Sequence, residues 1–158
     1  MKKLAEQISL IARLAGDEIM AVYQQDFSVI EKADNSPLTQ ADLAAHLCIV
    51  RMLQDLDSEI PILSEESASI DWSVRKHWAK YWLVDPLYGT RELAKKNGEF
   101  TVNIALICGG VTIAGAGAAM TRQTATSSGV LPTRAKPERL RSAMPDAVFS
   151  RVVIAVTP

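Results

Sequence analysis

Two carboxylates and a glycine-threonine pair stand where this sequence could do chemistry. Glu65 follows the short apolar run 60–63 and Asp85 follows the apolar run 81–84, so each acid falls where a strand should stop. Carboxylates delivered to neighbouring strand ends suit a hard cation such as Mg²⁺, which takes oxygen ligands in near-octahedral geometry and keeps several waters. Gly89-Thr90 comes shortly after Asp85, just as a helix should begin, and the unpaired N–H groups of a helix start make a seat for phosphate. Acid, turn and helix start together point to phosphate chemistry.

Each piece also has a plainer reading. Asp85-Pro86 is a common way to leave a strand, and Glu65-Glu66 reads equally as a solvated loop. Asp42 sits three residues after Thr39, the spacing of the acidic partner in a capping box. Thr90 alone would serve as an N-cap. His46 and His77 have no partner nearby in sequence and read as ordinary surface or helix histidines. Trp72, Trp78 and Trp82 read as packing, because no basic residues are interleaved with them to make a base-stacking platform.

The elements that must position these groups are legible from periodicity. Ile8, Ile11, Ala15, Ile19 and Val22 recur three or four apart, which lines one face of a helix from Leu4 to near Tyr23. A short strand is expected within residues 27–32, then loop chemistry at Asp34-Asn35-Ser36-Pro37. A second helix should run over residues 39–56 with Leu43, Leu47, Val50 and Leu53 as its buried stripe. Residues 101–107 and 111–114, joined by Gly109-Gly110, read as a hairpin. Beyond it the pattern fades, and only residues 148–156 suggest another strand.

The 158 residues carry 17 Lys and Arg against 18 Asp and Glu, with 48% hydrophobic side chains. That composition describes a globular chain able to bury a core without metal or disulfides, and its balance of charge gives no reason to expect a nucleic acid or an anionic membrane as partner, since both demand clustered positive charge. Cys48 and Cys108 lack metal-type spacing and read as reduced core residues. Glu6, Arg13, Asp17 and Glu18 interrupt the first helix, which disfavours a secretion signal or a membrane span. The average conceals a break. Residues 1–116 hold 11 basic and 16 acidic side chains, whereas residues 117–158 hold 6 basic and 2 acidic ones. The last 42 residues are rich in Ala, Arg, Pro, Ser and Thr, so two parts are expected: 1–116 as the metal- and phosphate-binding part, and 117–158 as a divergent, poorly ordered tail whose bias suggests a shifted reading frame.

The blocks gain force from their order. Lys32-Ala33-Asp34-Asn35-Ser36-Pro37-Leu38-Thr39-Gln40-Ala41-Asp42, then Leu63-Ser64-Glu65-Glu66, then Trp82-Leu83-Val84-Asp85-Pro86-Leu87-Tyr88-Gly89-Thr90 resembles the inositol monophosphatase superfamily of Mg²⁺-dependent phosphatases. Asn97-Gly98-Glu99-Phe100-Thr101-Val102-Asn103-Ile104-Ala105-Leu106-Ile107 is similar to its 3′(2′),5′-bisphosphate nucleotidase branch. The similarity covers about residues 1–115. It implies an α+β fold, the N-terminal part of a layered αβαβα sandwich whose C-terminal half is missing here. It implies hydrolysis of adenosine 3′,5′-bisphosphate to AMP and phosphate, in the service of sulfur assimilation, with Mg²⁺ as cofactor. By position, Glu65, Asp85 and the carbonyl of Leu87 would hold the first ion, and Asp42 and Thr90 would orient and deprotonate the attacking water. Gly89, Thr90 and Glu65 would line the substrate. The implied partner is a small nucleotide bisphosphate, with no nucleic acid and no obligatory protein partner, and self-association through open sheet edges is expected. The implied location is the cytoplasm, including the cytoplasmic face of the inner membrane.

Two departures bear on a second metal. Tyr88 stands where the family motif has Asp, and the family's carboxyl-terminal Trp-Asp pair has no counterpart. A phenol with a pKa of about 10 stays protonated at neutral pH and is a poor ligand for Mg²⁺. The expectation is therefore a nucleotidase of severely reduced turnover. Two other readings are kept beside it: an inositol or sugar phosphate phosphatase of the same superfamily, and a non-catalytic, truncated remnant.

Overall fold

The computed structural model describes residues 2–25, 29–31, 37–67, 70–90, 93, 100–120 and 125–130. In chain order these form α1 (Lys2–Tyr23), β1 (Val29–Glu31), β2 (Pro37–Thr39), α2 (Gln40–Leu56), β3 (Ile62–Ser64), α3 (Trp72–Arg75), β4 (Lys80–Tyr88), β5 (Phe100–Cys108), β6 (Val111–Met120) and β7 (Ala125–Val130). Strands β3 to β7 make one sheet in sequence order, in which β3 and β4 are parallel and the rest antiparallel. β1 and β2 form a separate antiparallel pair. This is the expected α+β class. Residues 32–36, 97–99 and 148–156, which carry two motif segments and the last expected strand, lie outside the described residues.

Helices α1 and α2 pack on each other and on one face of the sheet, α1 over β5, β6 and β7 and α2 over β4. Ile8, Ile11, Ala12, Ala15 and Ile19 of α1 meet Trp82, Val84, Val102, Ile104 and Leu106 of the sheet in a single core. Burying one of these isoleucine, leucine or valine side chains stabilises the fold by about 1.5–3 kcal/mol. Because side chains alternate along a strand, the intervening residues Tyr81, Leu83, Ala105 and Ile107 form a smaller cluster with Leu63 and Trp78 on the other face. The β5–β6 turn is Gly109-Gly110 with φ of 57° and 74°, the left-handed pair that a tight two-residue hairpin needs.

Three expectations need correction. The buried stripe of α2 is Ala41, Ala45, Ile49 and Leu53, while Leu43 is 42% and Leu47 67% exposed. Residues 43 and 47 lie two positions from 41 and 45, about 200° around the helix, so only one set can face inward. The small side chains of Ala41 and Ala45 suit a helix that lies against both α1 and the sheet. Second, β4 does not stop at Asp85 but runs to Tyr88, and β6 runs past Ala114 to Met120, so the compositional break near Gly117 falls within a strand. Third, Cys108 is exposed at the hairpin end and Cys48 is only half-buried.

Candidate active site

Asp42 lies in the first turn of α2 and is 1% exposed. Its Oδ2 accepts both the backbone N–H of Thr39 at 2.7 Å and the Thr39 hydroxyl at 2.6 Å. Thr39 Oγ1 in turn accepts from the N–H of Ala41 at 3.2 Å. This is the reciprocal capping box that the spacing allowed. The other oxygen is used differently, since Oδ1 accepts the hydroxyl of Thr90 at 3.0 Å, 48 residues away. One carboxylate thus starts a helix and faces the turn after β4. Burial pushes the Asp42 carboxyl above its usual value, and the donations from Thr39 and Thr90 oppose that rise.

The turn after β4 owes its shape to Pro86. The ladder pairs Asp85 with Asn103 and then Tyr88 with Thr101, so β4 spends one residue more than β5 over the same span. A proline has no N–H to give the ladder, and the extra residue makes a bulge there. Leu87, 4% exposed, is anchored in the main core, and its carbonyl lies 3.3 Å from Thr90 Oγ1. Thr90 has one hydrogen, and the shorter bond to a carboxylate is the stronger claim on it. Gly89 follows at φ 105°, a conformation a side chain would strain. The N–H of Leu93 then donates to the Gly89 carbonyl at 2.9 Å, which opens a helical turn at Thr90. Leu93 itself is fully buried and fixes that turn to the core.

The parallel register brings Glu65 beside Asp85. Ser64 pairs with Val84, and the N–H of Glu65 continues the ladder by donating to the Val84 carbonyl at 3.1 Å. Alternation then places residues 65 and 85 on the same face as Leu63 and Leu83, whereas Asp42 comes from the helix layer over the opposite face. The site therefore sits at the rim where the two faces meet. Glu65 is exposed and Asp85 half-buried, with both Asp85 carboxylate oxygens shielded from solvent. Among the described residues no group of three or more His, Cys, Asp or Glu is gathered tightly enough to hold a metal by side chains alone. The Glu65 and Asp85 carboxylates and the Leu87 carbonyl are all oxygen donors, the kind that a hard cation such as Mg²⁺ takes. Tyr88, half-buried, occupies the strand position next to Leu87 and Gly89 and adds no carboxylate.

One pair of residues escaped the sequence reading. His46 is a helix histidine, as one of the two readings had it, but a partnered one, with Nδ1 2.9 Å from Ser64 Oγ. The usable signal was that His46 follows Asp42 by one helical turn and Ser64 immediately precedes Glu65. His77 is exposed, Trp82 fully buried, and Trp72 packs its ring under the Arg75 guanidinium at 4.9 Å.

A sheet with two helices on one face, and an acid-proline bulge leading into a glycine-threonine helix start at its rim, make an α+β frame with a candidate phosphate and cation site at one edge. The inositol monophosphatase family matches residues 1–131, and the chain belongs to that family. Among curated relatives, the 3′(2′),5′-bisphosphate nucleotidase CysQ of Escherichia coli strain K12 is 54% identical over 114 residues, which is 71% of this chain and 46% of the relative. The enzyme of the same description from Buchnera aphidicola is 47% identical over 116 residues, 72% of this chain and 43% of the relative. The crystal structure of CysQ from Bacteroides thetaiotaomicron superimposes with a TM-score of 0.61 at 37% identity, covering 86% of this chain and 52% of that one. The chain spans about half the length of the curated relatives it matches.

Proposed function

We propose that this chain carries the water-activating side and the first cation site of a Mg²⁺-dependent 3′(2′),5′-bisphosphate nucleotidase, with adenosine 3′,5′-bisphosphate as substrate and AMP and phosphate as products. The observation that carries the proposal is the hydrogen bond from Thr90 Oγ1 to Asp42 Oδ1, set between the Leu87 carbonyl and a buried acid. With its hydrogen committed to Asp42, Thr90 Oγ1 presents lone pairs to a water. As that water attacks phosphorus, its proton passes to Thr90 while the Thr90 proton passes to Asp42. A carboxylate whose pKa is raised by burial accepts that proton more readily than an ordinary one. Glu65, Asp85 and the Leu87 carbonyl would hold Mg²⁺, which when bound supplies a lowered water pKa and neutralises charge on the phosphoryl oxygens. The amides at Gly89 and Thr90 would meet the remaining phosphoryl oxygens, as a helix start does for anions. The cytoplasm is the compartment we assign, where this substrate is a small soluble anion.

Tyr88 lowers the rate. It replaces a carboxylate that would hold a second ion, and a two-metal clamp stabilises both attacking and leaving oxygens. Each loss of about 1.36 kcal/mol of transition-state stabilisation lowers the rate about tenfold. The test compares purified wild type with Tyr88→Asp, measuring phosphate release from adenosine 3′,5′-bisphosphate with and without Mg²⁺. Slow Mg²⁺-dependent release that rises at least about tenfold in the variant is expected. Wild-type release matching the E. coli relative removes the role given to Tyr88, and a preference for inositol monophosphate overturns the nucleotide assignment.

A further inference from the structure

Helix α2 touches the site twice. Asp42 reaches Thr90 from its first turn, and His46, one turn on, reaches Ser64 at the end of β3. Residues four apart share a helix face, so both contacts leave α2 in one direction. Ser64 is 6% exposed, and its hydroxyl is the centre of the turn that carries Glu65. Ser64 Oγ accepts the N–H of Glu66 at 3.4 Å, and the Ser64 carbonyl accepts the N–H of Ser67 at 3.2 Å. With a lone pair given to Glu66, Ser64 has its proton free for the His46 ring. Its second lone pair can equally accept Nδ1–H, so the direction of the bond follows the tautomer of the neutral imidazole, the form that burial of His46 favours. The bond from His46 reaches this turn from the helix layer of the fold.

We propose that His46 is a positioning residue that acts through Ser64 to set where the Glu65 carboxylate stands relative to Asp42 and Thr90. A single rigid helix then spaces the cation-binding side of the site from its proton-accepting side. The inference rests on the reading of Glu65 as a cation ligand. A side chain that orients a ligand from behind commonly changes metal affinity about 10- to 100-fold when it is removed.

The test uses the full chain with His46→Leu, which keeps bulk and removes Nδ1, His46→Asn, which keeps a polar atom near the Nδ1 position, and the smaller change Ser64→Ala. Mg²⁺ affinity is measured by calorimetric titration beside the thermal unfolding midpoint. His46→Leu and Ser64→Ala should each weaken Mg²⁺ binding about 10- to 100-fold at a nearly unchanged midpoint, the double variant should weaken it no further than either, and His46→Asn should recover most of the loss. Mg²⁺ affinity in His46→Leu equal to wild type overturns the proposal. A wild-type chain that binds no Mg²⁺ defeats the cation reading of Glu65 separately, and amide hydrogen exchange on the metal-free protein then decides. Faster exchange confined to Glu65, Glu66 and Ser67 in His46→Leu supports the positioning role, and unchanged exchange there overturns it.

Discussion

Asp42 shows how one side chain serves folding and chemistry with different atoms. Its Oδ2 satisfies Thr39 at the start of α2, and its Oδ1 takes the Thr90 hydroxyl. The capping reading and the catalytic reading of the Thr39–Asp42 spacing are therefore not rivals, since a carboxylate held by a cap is already oriented for a second task. The cost of burying that group has a measurable sign. Because the native pKa of Asp42 lies above the ordinary 3.8, the folded chain binds this proton more tightly than the unfolded one. Its contribution to stability is fully present below pH 3.8 and is lost as pH rises through the raised native value. Asp42→Asn keeps a carbonyl acceptor and removes the titration. The stability of wild type relative to Asp42→Asn, measured by urea unfolding from pH 3 to 7, should decline with rising pH. A difference that grows with pH would show that the hydrogen bonds outweigh desolvation and would remove the raised base from the mechanism.

Elements set the phase in which such residues are presented. Leu53 is fully buried on α2 and Leu47 is 67% exposed, although both belong to the apolar pattern that marks the helix. Leu53→Ala should cost about 2–5 kcal/mol in equilibrium unfolding, whereas Leu47→Ala should stay within about 0.5 kcal/mol. Equal costs would reinstate the leucine face. The contrast also shows what was legible beforehand. Helix existence and extent follow from local spacing, so α1 and α2 were readable, and so were the β5–β6 hairpin, the acid that follows β3 and the acid on β4. Phase was not, because α2 offers apolar side chains on two faces and tertiary packing chooses between them. The length of β4 was hidden for a related reason: Pro86 reads as a terminator, yet the sheet admits it at a bulge, and the bulge turns the Leu87 carbonyl toward Thr90. The His46–Ser64 contact joins residues 18 apart, so the spacing of His46 from Asp42 hints at it while only the fold brings the two side chains together.

On the scale of the molecule the proposed donors have nothing to do with one another until the sheet forms. Glu65 directly follows β3, Asp85 and Leu87 lie on β4, and the parallel register of those strands brings Glu65 next to Asp85. An unfolded chain scatters these oxygens, so a cation that needs them together binds the native state and adds its binding free energy to folding. At a free Mg²⁺ concentration about 100 times its dissociation constant the gain is about 2.7 kcal/mol. For a chain of this size that corresponds to a rise of roughly 5–10 °C in the unfolding midpoint. Asp85→Asn should abolish the rise, because an amide oxygen without charge is a weaker ligand for a hard cation. Leu53→Ala should lower the midpoint and yet keep the Mg²⁺-dependent rise, since it weakens the core without touching the donors. Scanning calorimetry of the three proteins with and without Mg²⁺ separates these effects. A wild-type midpoint indifferent to Mg²⁺ would mean that the register aligns the two strands without building a cation site.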